Sequence, residues 1–317
     1  MPKSNNQPCR LPAPNAPLSY LIRPLLISLL LLLAMPLHAR PLIIATTPAL
    51  AQIAEAIGGV EVDVHSLNGL GKNPYYFNPK PGHARLLMQA DLLFAAGYGL
   101  EASWLPSLIQ LSGNRKLEPG QKGYLAGSDA LEAMGVSRAF ASSSLKEYTA
   151  DTPPLWWLNP LAGIKVARML AIRLIEIDPL NASTYRRNAD TFSNTVLAAI
   201  PRWRADLQAL NTPVVAYNNS FAHLLDAMGL QCVGLIAPRD GIEPSTRHLQ
   251  RVIQSMRKQD LHLIWVEPYH LGPVVKRVAQ ETDARLLVLP DAIEGQGLAA
   301  YTGLFDYLVD RIRRWNL

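Results

Sequence analysis

The sequence is short of cysteine: its 317 residues include only two, Cys9 and Cys232. Cys9 lies in a stretch that we expect to be removed from the mature protein, for reasons given below. One remaining cysteine cannot form an intramolecular disulfide, which excludes the disulfide framework typical of small secreted domains. Cys232 lies in an apolar run that predicts a strand, where thiols are usually inert.

Charged residues are also few, at 17%, whereas hydrophobic residues make up 49%. This balance predicts a globular chain. The formal net charge of +5 depends on Lys3, Arg10 and Arg23, which have no acidic counterparts in the first 39 residues. Without them, Lys and Arg fall from 30 to 27 against 25 Asp and Glu, an excess of only 2. The basic pI therefore does not imply nucleic acid as a partner.

Catalytic signatures are missing as well. Gly97 and Gly99 follow a predicted strand, but the third glycine of a dinucleotide-binding fingerprint is absent. No Ser-His-Asp or Cys-His arrangement can be read from the chain. The sequence also has none of the H-x-H, H-x-x-E-H or C-x-x-C spacings of familiar metal and redox sites. We therefore expect a protein that is not an enzyme.

The first residues have the pattern of a secretory signal. Three basic residues precede the apolar run Leu25–Ala34, and His38 and Ala39 follow it. A membrane-spanning helix needs roughly 20 apolar residues, so this shorter run predicts a signal peptide over 1–39, cleaved after Ala39. An uncleaved membrane anchor is the alternative. Because Cys9 precedes the run, the cysteine of a lipoprotein is not found after it.

The remaining sequence alternates short apolar runs with amphipathic segments, the pattern of parallel sheets covered by helices. The first half gives strands and helices in alternation, and the second half repeats this order after a helical middle section. We therefore predict an α/β fold with two parallel-sheet lobes joined by a long helix. The N-terminal lobe is expected at 40–160, the linking helices at 161–211 and the C-terminal lobe at 212–317.

The long helix is predicted by apolar residues that recur every three or four positions from Tyr185 to Leu210. It would contain roughly 30 residues and extend about 45 Å at 1.5 Å per residue. Pro201 removes a backbone hydrogen bond and should kink it. Such a helix is longer than one lobe, so we expect it to run along both as a spine.

The loop KNPYYFNPKP at 72–81 places three aromatic rings between two prolines. Proline restricts its own backbone and that of the preceding residue, so the loop is stiff. Its rings, on Tyr75, Tyr76 and Phe77, cannot easily be folded away. Core packing explains some of them, and a binding surface explains the others.

Nine motifs along nearly the whole mature chain resemble the periplasmic solute-binding proteins of zinc- and manganese-importing ABC transporters. These motifs are LAQIAEAIGG, NPYYFNPKP, ADLLFAAGYGLEASWL, LWWLNP, DPLNASTYRRNADTF, VVAYNNSFAHLLDAMGL, EPS, LIWVEP and the tyrosine-containing terminal helix. The resemblance implies two lobes that face each other across a ligand-binding cleft. It also implies a periplasmic location and an inner-membrane ABC permease as partner.

The metal-binding positions of that family are altered in this chain. The resemblance implies three histidines and a carboxylate, but Tyr75, Leu155 and Asn218 stand at the three histidine positions. Asp291 could supply the carboxylate after a shift of one residue. Leucine has no donor atom, and neutral tyrosine and asparagine are weak zinc ligands. A bare zinc or manganese ion held in the family's way is therefore not expected.

Side chains near these positions are flat or carry amides. Rings stack on planar groups, and amides both donate and accept hydrogen bonds. We therefore expect a metal already wrapped in an organic chelator, above all ferric iron in a siderophore. The expected ligand-binding residues are Tyr75, Tyr76, Trp156, Tyr217, Asn218, Asn219, Arg239 and Glu243. A surface role for Arg239 and a loop-positioning role for Glu243 are the alternatives.

Two other interpretations are open. The chain could bind a divalent ion directly through unusual ligands, for which His83, His223 and Asp291 are the candidates. It could instead be an accessory module that docks the transporter or a second periplasmic binding protein. No further cofactor is implied.

Overall fold

The computed structural model describes residues 39–133, 155–208, 213–238 and 242–315. Its strands form two four-stranded sheets in which every pairing is parallel. The first sheet has the order β2-β1-β3-β4 and consists of β1 (Leu42–Ala45), β2 (Asp63–Ser66), β3 (Leu92–Ala95) and β4 (Tyr124–Ala126). The second has the order β6-β5-β7-β8 and consists of β5 (Val214–Ala216), β6 (Cys232–Leu235), β7 (Leu263–Val266) and β8 (Arg285–Val288). The predicted α/β fold with two parallel sheets is confirmed.

The helices connect these strands in the order that the sequence pattern predicted. We call the first sheet and its helices the N-lobe; the helices are α1 (Pro48–Gly58), α2 (Pro81–Gln89), α3 (Leu105–Ser112) and α4 (Gly127–Ala133). The linking helices are α5 (Pro160–Ile177) and α6 (Ala182–Gln208). The second sheet forms the C-lobe with α7 (Ala222–Met228), α8 (Thr246–Lys258), α9 (Pro273–Thr282) and α10 (Gly297–Trp315).

Local sequence rules account for where most helices begin and end. The Thr47 side chain accepts a hydrogen bond from the Leu50 amide, and Pro48 occupies the first turn of α1. Helix α1 stops at Gly58, and Gly59 follows with a positive φ of 58°. The sequence pattern suggested that α3 starts at Gly99, but the helix begins six residues later, at Leu105. Gly97, Tyr98 and Gly99 all have positive φ, which a right-handed helix does not accommodate.

The predicted spine is helix α6, which has 27 residues and continues through Pro201. Its expected last residue, Leu210, lies outside the described residues. Most of the signal peptide and most of the segment 129–153, expected to be loop with one short helix, also lie outside them. None of the helices in the described ranges is both long enough and apolar enough to span a bilayer.

One apolar core is shared by the two lobes. It covers the inner face of each sheet, while α2 and α3 cover the outer face of the first sheet and α8 and α9 that of the second. At its centre the Tyr301 hydroxyl donates to the Trp157 carbonyl at 3.0 Å, and the rings of Phe192 and Tyr301 lie 5.0 Å apart. Helix α10 of the C-lobe also packs against α1 of the N-lobe. The lobes are thus held together by buried apolar surface.

Substitution of Gly163 tests this shared core. A Cβ atom at Gly163 would lie 1.9 Å from the Tyr301 hydroxyl oxygen, so Gly163→Ala forces a buried ring to move. We expect the free energy of unfolding to fall by about 1–3 kcal/mol, measured by urea denaturation. The matched control is Gly82→Ala in α2, where the new Cβ would meet nothing within 4 Å and stability should hold or rise by up to about 1 kcal/mol. Equal effects at both sites would contradict the packing described.

Candidate functional site

Parallel strands end together at one edge of each sheet, and α/β proteins bind ligands at that edge. At the edge of the second sheet the loops after β5, β7 and β8 lie side by side. The amide of Tyr217 donates to the carbonyl of Trp265, and the amide of Leu289 donates to the carbonyl of Val266. Residues 217–220, 267–270 and 289–291 are thereby brought together, although they come from distant parts of the sequence.

Glu267 directly follows β7 and is fully buried, with none of its side chain exposed. Trp265, two residues earlier, belongs to the shared core, whereas Val266 belongs to the outer core. Because side chains alternate along an extended chain, Glu267 continues the face that points into the shared core. One carboxylate oxygen, Oε2, lies 3.2 Å from Nδ1 of His270. The other, Oε1, has no hydrogen-bond partner among the described residues, which is costly for a buried charge.

Asp291 is a second buried acid, 6% exposed, on the loop after β8. Its carbonyl oxygen accepts a hydrogen bond from Nε1 of Trp157 at 2.9 Å, which fixes the loop to the shared core. Burial, with a further contribution from the negative charge of Glu267, raises the pKa of the Asp291 carboxyl to about 7. The two carboxyl groups therefore interact electrostatically, and their surroundings favour the binding of a positive charge.

Polar side chains from the loop after β5 lie at the same edge. Asn218 is buried, and its Oδ1 accepts a hydrogen bond from the Ser220 amide at 3.1 Å. The Ser220 hydroxyl is buried and has no partner among the described residues. His223 is buried in the first turn of α7. This edge of the C-lobe therefore combines two acids with an amide, a hydroxyl and an imidazole.

The corresponding edge of the N-lobe holds one buried acid, Glu101. Its carboxylate accepts hydrogen bonds from the Thr46 hydroxyl at 2.6 Å and from the amides of Ala96 and Gly97 at 2.7 and 3.1 Å. Burial raises the pKa of Glu101, although these donors act in the opposite direction. Since its oxygens are used by the protein itself, Glu101 stabilises the loop after β3.

The aromatic residues predicted to form a ligand-binding wall are largely packed against other parts of the protein. Trp156 is fully buried; its Nε1 donates to the Ala96 carbonyl at 2.9 Å and its ring meets Trp157 edge-on. Leu155 is fully buried too. Tyr75 is half-buried against the shared core, and Tyr217 is half-buried against the outer core. Of the wall, Tyr76 alone is exposed among the described residues, with 62% of its surface accessible.

The other predicted residues are scattered. The Nδ1 atom of His83 accepts a hydrogen bond from the Lys80 amide at 2.9 Å, and its ring packs on Phe77 in the N-lobe. Burial, with the nearby Lys80 charge, lowers the pKa of His83. Asn219 is buried in the turn before α7, Glu243 is exposed before α8, and Arg239 lies outside the described residues.

A preformed metal cage is not found. Among the residues that the structure describes, no group of three or more His, Cys, Asp or Glu side chains is placed to hold a metal ion. Burial raises the pKa of the Cys232 thiol to about 11, so the thiol stays protonated and is a poor ligand. Any cation would have to draw separate donors together or keep part of its water shell.

Comparison with known proteins identifies the architecture around this site. The model of the family described as "Zinc-uptake complex component A periplasmic" matches residues 43–315. The chain belongs to this family. It is therefore the substrate-binding component of a metal ABC importer, and the expectation that it is not an enzyme is confirmed by the membership.

Three known proteins illustrate the similarity, each at 26% identity or less. The metal ABC transporter substrate-binding lipoprotein SsaB of Streptococcus sanguinis is 26% identical over 282 residues, or 85% of this chain and 87% of SsaB. The manganese ABC transporter substrate-binding lipoprotein PsaA of Streptococcus pneumoniae serotype 4 is 25% identical over 281 residues, with the same coverage. A crystal structure of ZnuA, 21% identical, has a TM-score of 0.71 and covers 88% of this chain and 100% of its own. The last likeness establishes the fold.

Three residues at this site were not singled out from the sequence: Ser220, Glu267 and His270. Glu267 stands in the motif LIWVEP, and an acid placed directly after a wholly apolar strand was the available signal. His270 had no signal of its own, because it shows no recognisable ligand spacing and its partners come from elsewhere in the chain.

The raised pKa of Asp291 predicts how the stability of the ion-free protein depends on pH. The folded-state value of about 7 lies above the ordinary 3.8, so the folded protein keeps a proton that the unfolded chain releases. This contribution is fully present below about pH 4 and is lost as the pH rises through 7. Asp291→Asn stays neutral, so its melting temperature should gain a few degrees on that of the wild type between about pH 5 and about pH 8.

Thermal unfolding followed by circular dichroism checks this expectation in the presence of a chelator. The control is Asp190→Asn, at an exposed position on α6, which should leave the pH profile unchanged. Parallel profiles for the wild type and Asp291→Asn would contradict the burial of the Asp291 carboxyl.

Proposed function

We propose that this chain captures a divalent metal cation directly, with Asp291 as its anionic ligand, and delivers the cation to an inner-membrane ABC permease. The observation that carries the proposal is the pair of buried acids, Asp291 and Glu267, at the carboxyl edge of the second sheet. Capture takes place in the periplasm, which the chain reaches through a signal peptide cleaved after Ala39.

The energetics of burial support a cationic substrate. Two nearby carboxyls out of contact with water are unfavourable unless a proton or a cation compensates their charge. In the unloaded protein the raised pKa of Asp291 means that a proton supplies part of this compensation. A divalent cation would replace that proton and use the negative potential of Glu267 without being bound by it.

The donors available favour direct ligation by oxygen atoms over the chelate that the sequence suggested. Trp156 offers no accessible ring surface on which an organic chelator could stack, and the two acids at this edge of the C-lobe are buried. The family description names zinc and the PsaA relative is named for manganese, whereas neither name mentions a siderophore. The chelate and the second binding protein stay predictions from the sequence alone.

Native mass spectrometry of the purified protein, stripped of metal by a chelator, tests the proposal. We expect the mass of one ion to be retained after exposure to Mn²⁺ or Zn²⁺. Asp291→Ala should weaken binding by at least about tenfold, because it removes a charged donor; calorimetric titration provides the measurement.

The matched control for this experiment is Asp190→Ala, which removes an exposed carboxylate on α6 and should bind like the wild type. A gain of mass with a ferric siderophore complex, and with neither ion, would overturn the proposal in favour of the chelate. Normal ion binding by Asp291→Ala would remove Asp291 from the site.

A further inference from the structure

A pair of side chains joins the two lobes. Nδ2 of Asn73, on the aromatic loop of the N-lobe, lies 3.3 Å from Nε2 of His270, on the loop after β7. These residues are 197 positions apart in the sequence. His270 is thereby placed where the loop after β7 meets the N-lobe.

The hydrogen-bond pattern determines which nitrogen of His270 carries the proton. Oδ1 of Asn73 accepts from the Tyr75 amide at 2.9 Å, so the Asn73 amide is oriented with its NH₂ group toward the imidazole. An NH₂ group donates, and Nε2 must therefore accept through its lone pair. The proton then lies on Nδ1, which donates to Oε2 of Glu267 at 3.2 Å.

The imidazole ring is held firmly in this orientation. Tyr217 stacks on it with ring centroids 4.5 Å apart, and Tyr269 meets it edge-on at 4.8 Å. Only 9% of the His270 side chain is exposed. A carboxylate that binds Nδ1–H and leaves the Nε2 lone pair facing outward is the arrangement by which proteins prepare histidine as a metal ligand.

A purely structural role for the contact between Asn73 and His270 does not explain why Glu267 is buried behind the imidazole. A neutral amide–imidazole hydrogen bond needs no carboxylate behind it, yet Glu267 is fully buried and its Oε1 atom has no partner among the described residues. A buried acid with one oxygen left without a hydrogen bond lowers stability. The Glu267 carboxylate is stabilising when a cation binds to Nε2 of His270, because the cation makes the Nδ1–H group more positive and strengthens its hydrogen bond to Glu267.

Resting on the proposed function, we propose that His270 is the nitrogen ligand of the transported cation and that Glu267 positions it. In the unloaded protein Asn73 occupies the Nε2 lone pair, and the arriving cation displaces the Asn73 amide. The histidines missing at positions 75, 155 and 218 are thus replaced by one histidine from a different loop. Because His270, Glu267 and Asp291 do not form a ready-made group that could hold a metal ion, binding requires the side chains of these neighbouring loops to move.

Two substitutions with opposite expected effects test this inference by calorimetric titration of Mn²⁺ and Zn²⁺. His270→Gln removes the imidazole and should weaken binding by at least about tenfold. Asn73→Ser retains a side-chain oxygen for the Tyr75 amide but no longer reaches His270, so binding should tighten by a few fold. A merely structural contact would give no tightening.

The control variant is His262→Gln, since His262 also pairs with a carboxylate, Asp260 at 2.9 Å, but on the surface. It should bind as the wild type does. Histidine side-chain ¹⁵N spectra of the wild type give an independent measurement: Zn²⁺ should shift the Nε2 signal of His270 and leave its Nδ1 proton in place. This second measurement still decides the question if His270→Gln fails to fold.

The outcomes separate the two proposals. If the wild type binds neither ion, the proposed function fails and this inference fails with it. If the wild type binds an ion, while His270→Gln binds equally well and the His270 signals do not move, only the assignment of His270 is overturned.

Discussion

The apolar core shared by the two lobes is the constraint on which the rest of the structure depends. Trp157 illustrates it: its ring lies in this core, its carbonyl accepts the Tyr301 hydroxyl, and its Nε1 donates to the Asp291 carbonyl. The same residue thus holds α10 in place and fixes the loop that carries Asp291. With the lobes joined in this way, loop side chains such as Asn73 and His270 meet from opposite lobes with defined geometry.

The buried acids of the two sheet edges differ in how far the protein satisfies them. In the N-lobe, the carboxylate of Glu101 accepts hydrogen bonds from three donors. At the edge of the second sheet, by contrast, an acid oxygen and a hydroxyl lack partners among the described residues, and Asp291 has a strongly raised pKa. Local unfavourable energy of this kind is typical of sites that await a ligand.

Local rules predicted the fold well because its signals are local. Period-two and period-3.6 patterns located the strands and α6, and Thr47, Pro48 and Gly59 marked the limits of α1. The start of α3 was misjudged because three successive positive φ angles precede it, and an apolar pattern contains no information on them. The sequence located these elements without specifying how their loops would meet.

The site was harder to predict because its contacts join distant segments. Trp156 resembled a ligand surface in the sequence, but its burial depends on the Ala96 carbonyl some 60 residues earlier. His270 has no distinctive neighbours in sequence and acquires its character from Glu267, Tyr217 and Asn73. Only the packing of two lobes reveals such a residue.

The merging of the lobes in one core also bears on how such proteins diversify. If one lobe were exchanged for that of a relative, the apolar contacts around Trp157, Phe192 and Tyr301 would be disrupted. Exchange of whole lobes is therefore a poor route to a new ligand specificity. Single substitutions in the rim loops leave that packing intact. Lineages with this architecture can therefore change their cargo residue by residue while the scaffold survives.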